Sequence, residues 1–321
     1  MSFSAKAKNE LCHIWVRRTC CKYAELAALI YACGTIQLAG KSKVSLQINT
    51  ENASIARRIF ILIKDLYNIH TQVMIRKNQR LRKNNSYFLI LSNEQGAQKI
   101  LEDIGILYRE SDKQNIMIYQ EINPKLIKKA CCKKSYLRGA FLGGGSVSDP
   151  EKTYHLEFVS HTEVYARSLC KLINEFNLNA KMIERKNNFV VYLKEGESIV
   201  NLLSIIGAHT ALLNLENIRI YKDMRNNINR IVNCETANLS KTVNAAVRQI
   251  ENIEYIRDHI GLAKLPPSLR EIAELRLIHS DASLRELGQM LDPPIGKSGV
   301  NHRLRKLDKI AKELKMKKGE M

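Results

Sequence analysis

The sequence predicts an α+β chain: two copies of an αββαββα unit related by a pseudo-two-fold axis, then an all-α module built on a helix-turn-helix. Three observations predict it. The first is a repeat: Cys20 and Cys131, Leu26 and Leu137, and Gly34 and Gly145 each stand 111 residues apart, and three anchors at one offset argue for duplication. The second is that helical and strand periodicities alternate in the same order in both halves. The third is a pair of helix-start signals, Ser268-Leu269-Arg270-Glu271 and Ser283-Leu284-Arg285-Glu286, each placing a Glu three residues after a Ser so that both side chains can satisfy free backbone amides.

The elements follow in order. Residues 4–16 read as a short helix with Leu11, Ile14 and Trp15 as apolar contacts and Ser2 or Ser4 as its cap. The first copy, about residues 20–107, opens with the apolar run Leu26 to Gly34. Small residues interrupt that run at Ala27, Ala28 and Ala32, as Gly139, Ala140 and Gly143 interrupt its partner, so two such helices can bring their backbones close. Val44, Leu46 and Ile48 alternate as a strand. A helix is expected from Asn52 to Leu66, strands at Val73 and Ile75 and at Tyr87, Leu89 and Leu91, and a helix over 94–104 ending at Gly105. The second copy, about 131–207, retraces this: Ala166-Arg167 answers Ala56-Arg57, Arg185-Lys186 answers Arg76-Lys77, and Ile206-Gly207 answers Ile104-Gly105.

The domain boundaries expected are 1–222 for the duplicated domain, 223–264 for a linker with a helix, and 265–321 for the helix-turn-helix. Residues 223–238 are rich in Asn and Arg without Gly or Pro, hence a polar linker that is not flexible; a helix from about Ser240 to Ile256 follows. In the last module Ser298 is expected to cap a third helix, with Val300, Leu304, Leu307, Ala311 and Leu314 on one stripe.

Composition bounds the function. The 321 residues are 45% hydrophobic and 26% charged, ordinary for a globular protein. No apolar run reaches the roughly 18 residues of a membrane span, and Met1 to Glu10 carries Lys6, Lys8 and Glu10 without an apolar core behind it, so a cytoplasmic location is expected. The formal charge is +19, which makes a polyanion the first partner to consider. A membrane surface ranks below it, since Trp15 is the single Trp and no strongly amphipathic helix carries aromatic residues on its apolar face. The eight cysteines include no Cys-x-x-Cys pair. Cys20, Cys21, Cys131 and Cys132 meeting on a zinc ion ranks below buried reduced thiols, because vicinal cysteines seldom reach one tetrahedral ion together. No metal and no cofactor is therefore expected.

The stretch Leu26-Ala27-Ala28-Leu29-Ile30-Tyr31-Ala32-Cys33-Gly34 resembles the helix that names the LAGLIDADG homing-endonuclease fold, matching at Leu26, Ala27, Leu29, Ile30, Ala32 and Gly34. Together with its duplicate and the C-terminal module, it makes the whole chain similar to the bacterial WhiA family of sporulation and cell-division regulators. The resemblance implies an open sheet face shaped as a saddle for DNA. It further implies a nucleoid-associated transcription factor linked to sporulation, cell division and chromosome segregation. In the homing endonucleases the acidic residue before the final Gly of each signature helix holds divalent metal. The aligned positions here are Cys33 and Gly144, and the other acidic position is Tyr31 or Leu142, so the resemblance implies no catalytic residues. Hard metal ions want carboxylate oxygens. Asp149 and Glu151 lie just beyond, and their neighbour Pro150 favours a loop role.

Binding chemistry is better provided for. At 100° per residue, Ser298, Asn301, His302, Arg305, Lys306, Lys309 and Lys312 lie opposite the apolar stripe of the third helix. Early residues of such a helix reach base edges and later ones the backbone of double-stranded DNA. Asn301 suits adenine and Arg305 guanine, by their forked groups. Backbone contacts are expected from the basic hairpins, at Arg76, Lys77, Arg80, Arg82 and Lys83 in the first copy and Arg185 and Lys186 in the second. The function expected is thus a sequence-specific DNA-binding protein without enzymatic activity. An active nuclease, a structured-RNA-binding protein, and a scaffold whose N-terminal domain holds other DNA-binding or transcription proteins stay open as alternatives.

Overall fold

The computed structural model describes residues 1–39, 43–77, 85–109 and 116–318. The chain divides into two compact units, Met1–Lys222 and Asp223–Met321.

The first unit begins with α1 (Phe3–Cys12), capped by the Ser2 hydroxyl, which accepts from the Ala5 amide. The first copy then runs α2 (Thr19–Cys33), β1 (Gly34–Ala39), β2 (Lys43–Thr50), α3 (Ala53–Tyr67), β3 (Gln72–Lys77), β4 (Asn85–Leu91) and α4 (Ala97–Asp103). A hairpin of β5 (Leu107–Arg109) and β6 (Ile116–Ile118), unforeseen in the sequence, separates it from the second copy. That copy runs α5 (Ala130–Gly144), β7 (Gly145–Val147), β8 (Leu156–Ser160), α6 (Glu163–Asn174), β9 (Lys181–Arg185), β10 (Asn188–Leu193) and α7 (Gly196–Ile206). The sheets have the same order, β1-β2-β4-β3 and β7-β8-β10-β9, which is the duplication expressed as topology.

The two signature helices lie backbone against backbone. A Cβ on Gly139 would fall 2.4 Å from the Glu25 carbonyl oxygen, and one on Gly143 would fall 2.5 Å from the Ala32 Cβ. Small residues are thus a requirement of the crossing. Inside this pair sits a fully buried carboxylate, Glu25, accepting from Arg58 Nε at 2.7 Å and from Arg138 NH1 at 3.1 Å. Arg138 Nε donates to the Ile206 carbonyl at 2.7 Å, and Arg58 NH1 to that of Ile14 at 2.6 Å. At the place of Glu25 the second copy has Tyr136, also buried, whose hydroxyl lies 3.3 Å from that of Tyr165. The copies share a fold but not this charge.

Each sheet turns one face to the helices. Val44, Leu46 and Ile48 of β2 and Leu89 and Leu91 of β4 are buried. Alternation sends Ser45, Gln47 and Asn49 to the opposite face. The edge strand β3 is exposed throughout, Val73 and Ile75 included. Asn52 caps α3 through its side-chain oxygen, and Gly105 and Gly207 take positive φ after α4 and α7.

In both units part of α8 (His209–Ile260) contributes to the core, through Ala211 and Leu215 in the first and Ile253 and Ile256 in the second. Residues 223–238, expected as a linker, are helical throughout. Between Gly207 and Gly261 there is neither Gly nor Pro, so nothing in the backbone chemistry stops the helix once it starts. The second unit continues with α9 (Pro267–Ile278), α10 (Leu284–Gln289) and α11 (Lys297–Lys318). Among the described residues no helix is long and apolar enough to cross a membrane.

Candidate nucleic-acid interface

The second unit buries Ile272, Ala273, Leu287, Val300, Leu304, Leu307 and Ala311 around α9, α10 and α11. Ser283 forms the predicted capping box: its hydroxyl accepts from the Glu286 amide, and the Glu286 carboxylate accepts from the Ser283 amide at 2.7 Å. Those bonds, backbone amide first, hold the exposed Glu286 carboxyl below the usual carboxylate range. The other predicted box is absent. Pro266 and Pro267 start α9 two residues early, which puts Ser268 inside the first turn with no side-chain cap. Likewise α11 starts at Lys297, so Ser298 sits in its first turn instead of capping it. Between α10 and α11 the chain folds back on Gly288, whose carbonyl accepts from the Ile295 amide at 2.9 Å and where a Cβ would meet the Ile295 carbonyl oxygen at 2.2 Å.

This packing sorts the basic residues of α11. Arg303 bonds the Ser268 carbonyl at 3.4 Å and pairs with Glu271 at 3.7 Å, and Lys315 donates to the Asn252 side-chain oxygen at 3.2 Å with its ammonium 5.0 Å above the Tyr255 ring. These two hold the module together. Ser298, His302, Arg305, Lys306, Lys309 and Lys312 are exposed, and Asn301 is half-buried beside them. Lys309 has only a long pairing with Glu313, at 3.9 Å. The described residues offer Arg305, His302 and Lys306 no hydrogen-bond partner or ion pair, so their donors face outward.

In the first unit the strand register decides which basic residues share the open sheet face. Gln47 opposes Thr35 and Ile90, and Ile90 opposes Gln72; Asn49 opposes Phe88, and Phe88 opposes Met74. Opposed residues point the same way. Arg76 therefore belongs to this polar face and Lys77 to the other. In the second copy Arg185 opposes Asn188, two steps from the Ile183–Val190 pair on the open face. Lys186 and Asn187 have φ of 50° and 59° and form the two-residue turn. Arg80, Arg82 and Lys83 lie outside the described residues. Thr35, Gln37, Gln47 and Asn49 on this face were unforeseen, although Ser45, Gln47 and Asn49 alternate visibly with Val44, Leu46 and Ile48.

At the C-terminal ends of α2 and α5, Cys33 is half-buried with its thiol 3.7 Å from the Gly143 carbonyl. Burial pushes that thiol up to about 11, against the pull of the Lys8 ammonium. Burial in turn lowers Lys8, with Cys33 acting in the opposite sense. A cation there opposes a divalent metal. Tyr31 donates to the Gln120 carbonyl at 3.1 Å and stacks on Tyr165 at 3.6 Å between ring centroids. Leu142 is fully buried. A cavity of about 240 Å³ opens here beside Tyr31, Gly144, Ser160 and His161, with no carboxylate among its lining residues. Asp149 accepts from the Glu151 amide at 3.1 Å, a turn contact.

A duplicated α+β domain and a trihelical module presenting an exposed basic helix face define a helix-turn-helix protein on a LAGLIDADG-type scaffold. Family models match along the chain: the WhiA N-terminal LAGLIDADG-like domain at residues 19–107, the WhiA LAGLIDADG-like domain at 133–225 and the WhiA C-terminal HTH domain at 228–311. The chain belongs to the WhiA family. It is 60% identical over 311 residues to the probable cell division protein WhiA of Alkaliphilus metalliredigens, covering 97% of this chain and 98% of the relative. It is 59% identical over 315 residues to the probable cell division protein WhiA of Alkaliphilus oremlandii, covering 98% of each. The crystal structure of full-length DUF199/WhiA from Thermatoga maritima superposes with a TM-score of 0.58 at 28% identity, covering 98% of this chain and 99% of that one.

Proposed function

We propose that this protein is a sequence-selective DNA-binding regulator of bacterial cell division, acting in transcription and extending to sporulation and chromosome segregation, with no nuclease activity. The observation that carries the reading is the division of labour on α11: Arg303 and Lys315 are spent on internal contacts, whereas Arg305, His302 and Lys306 keep their donors free on one outward face. Unpaired forked and charged donors on the helix after the turn are what base-edge and phosphate recognition requires. The names of the relatives support the cell-division assignment.

The loss of nuclease chemistry is supported at the helix ends. A Cβ on Gly144 would meet the Val159 carbonyl oxygen at 3.0 Å, and half-buried Lys8 lies within electrostatic reach of Cys33. A larger side chain at Gly144 is crowded by that carbonyl, and the Lys8 ammonium would repel a divalent metal. The open sheet faces, with Gln47, Asn49, Arg76 and Arg185 among apolar neighbours, favour a second, sequence-independent contact with the duplex, and a place there for structured RNA or a protein is the rival reading.

Selection of bound fragments from random duplex DNA, with the full chain and with a chain ending at Leu265, tests the proposal. Enrichment of one motif by the full chain and its disappearance on truncation is expected. Undiminished selectivity after truncation would move the reader out of α11. Tighter binding of folded RNA than of duplex in direct competition would replace DNA as the partner.

A further inference from the structure

Cys20 and Cys21 occupy the first turn of α2, and Cys131 and Cys132 the first turn of α5. The crossing of these helices carries the four sulfurs, two from each copy, to within 4.8 Å of one another. None is in a disulfide, Cys21 and Cys132 are buried, and Cys20 and Cys131 are half-buried. We propose that they form a mononuclear tetrathiolate site for a divalent ion of the zinc class, clipping the two copies together across the pseudo-two-fold. The site lies at the opposite ends of α2 and α5 from Cys33 and Gly144.

Geometry selects this reading over the others. Four thiolates around one zinc at about 2.3 Å stand roughly 3.8 Å apart, and the span here needs only a small contraction to reach that. A polynuclear iron–sulfur cluster interposes sulfides and further metal ions, which spreads its cysteines wider. The surroundings are those of an anionic centre. Both helices present amide-rich N-termini to the sulfurs, and the Arg18 guanidinium donates to Cys131 Sγ at 3.5 Å. A cavity of about 390 Å³, lined by Lys125, Lys128 and Lys129 besides Cys20 and Cys132, gives an ion a route in. Loading forms four metal–sulfur bonds, and the protons of the thiols pass to solvent. Reduced thiols were expected because vicinal cysteines seldom reach one ion together; here each helix supplies two ligands, and the duplication brings the two pairs face to face.

The test uses full-length protein expressed with zinc in the medium. Elemental analysis should find about one zinc per chain after gel filtration, and about a fifth of that or less in Cys20→Ser/Cys131→Ser. Replacement of the metal by cobalt(II) in the native protein should give the charge-transfer and ligand-field absorption of a tetrahedral tetrathiolate, a readout that stands even where the variant fails to fold. Wild-type protein that holds under about a fifth of an equivalent of any metal after incubation with zinc would overturn the site. So would a Cys20–Cys132 or Cys21–Cys131 disulfide trapped by alkylation at lysis.

Discussion

Arg138 of the second copy places its guanidinium 3.1 Å from the carboxylate of Glu25 in the first, inside a helix pair from which water is excluded. Arg58 shares that carboxylate. Replacing Glu25 with Gln leaves two buried guanidinium groups without their counter-charge, a loss of about 3 to 5 kcal/mol. Urea unfolding of the full chain checks this, and an unchanged midpoint would show that the triad contributes nothing net.

Gly139→Ala tests the helix crossing. Its Cβ would fall 2.4 Å from the Glu25 carbonyl oxygen and 2.9 Å from the Ala28 Cβ. The helices must part, at about 1 to 3 kcal/mol. Gly296→Ala, where an added Cβ meets nothing within 4 Å, is the control expected to cost far less.

On α11 two substitutions should separate. Arg305→Ala is expected to relax base choice at a cost of about 1 to 3 kcal/mol on the cognate site, whereas Lys309→Ala weakens all DNA alike and reduces the salt slope by about 1. Titrations of cognate and random duplex at several salt concentrations distinguish them. Equal weakening of both duplexes by Arg305→Ala would remove it from the base-reading set.

Ser283→Ala removes the capping box, with an expected loss of about 1 kcal/mol from the helix-turn-helix module. Glu286 is held below its ordinary range by its bonds to Ser283. A carboxylate depressed in the folded state stabilises above its unfolded value and loses that contribution as pH falls through the folded one. The stabilities of wild type and Glu286→Gln should therefore converge under acid conditions and separate towards neutrality.

Cys33 should resist alkylation in native protein at pH 8, since burial pushes its thiol to about 11, while exposed Cys234 reacts. Mass spectrometry after a timed iodoacetamide pulse reads both. Equal labelling would mean that the helix ends are open to solvent.

The duplication, the order of helices and strands in each copy and the outward face of α11 were legible because periodicity and offset are local, repeated signals. Ser283 was legible as a cap for the same reason. Ser268 was not, because Pro266 and Pro267 outcompete a serine for the start of α9. The polar run 223–238 read as a linker because composition reports solvent exposure, not backbone state, and an exposed helix without glycine is polar in the same way. Glu25 stood in plain view within an apolar run, yet its partners Arg58 and Arg138 are 33 and 113 residues away. The four cysteines were noticed, but no spacing rule brings Cys20 to Cys132; only the helix crossing does.

The unlike residues at Glu25 and Tyr136 give the duplication a direction. Two first copies set against each other would oppose carboxylate to carboxylate with no Arg138 between them, and two second copies would strand an arginine. Each half has become fit only for its sibling, so a protein that descends from a symmetric pair is now bound to life as a single polypeptide.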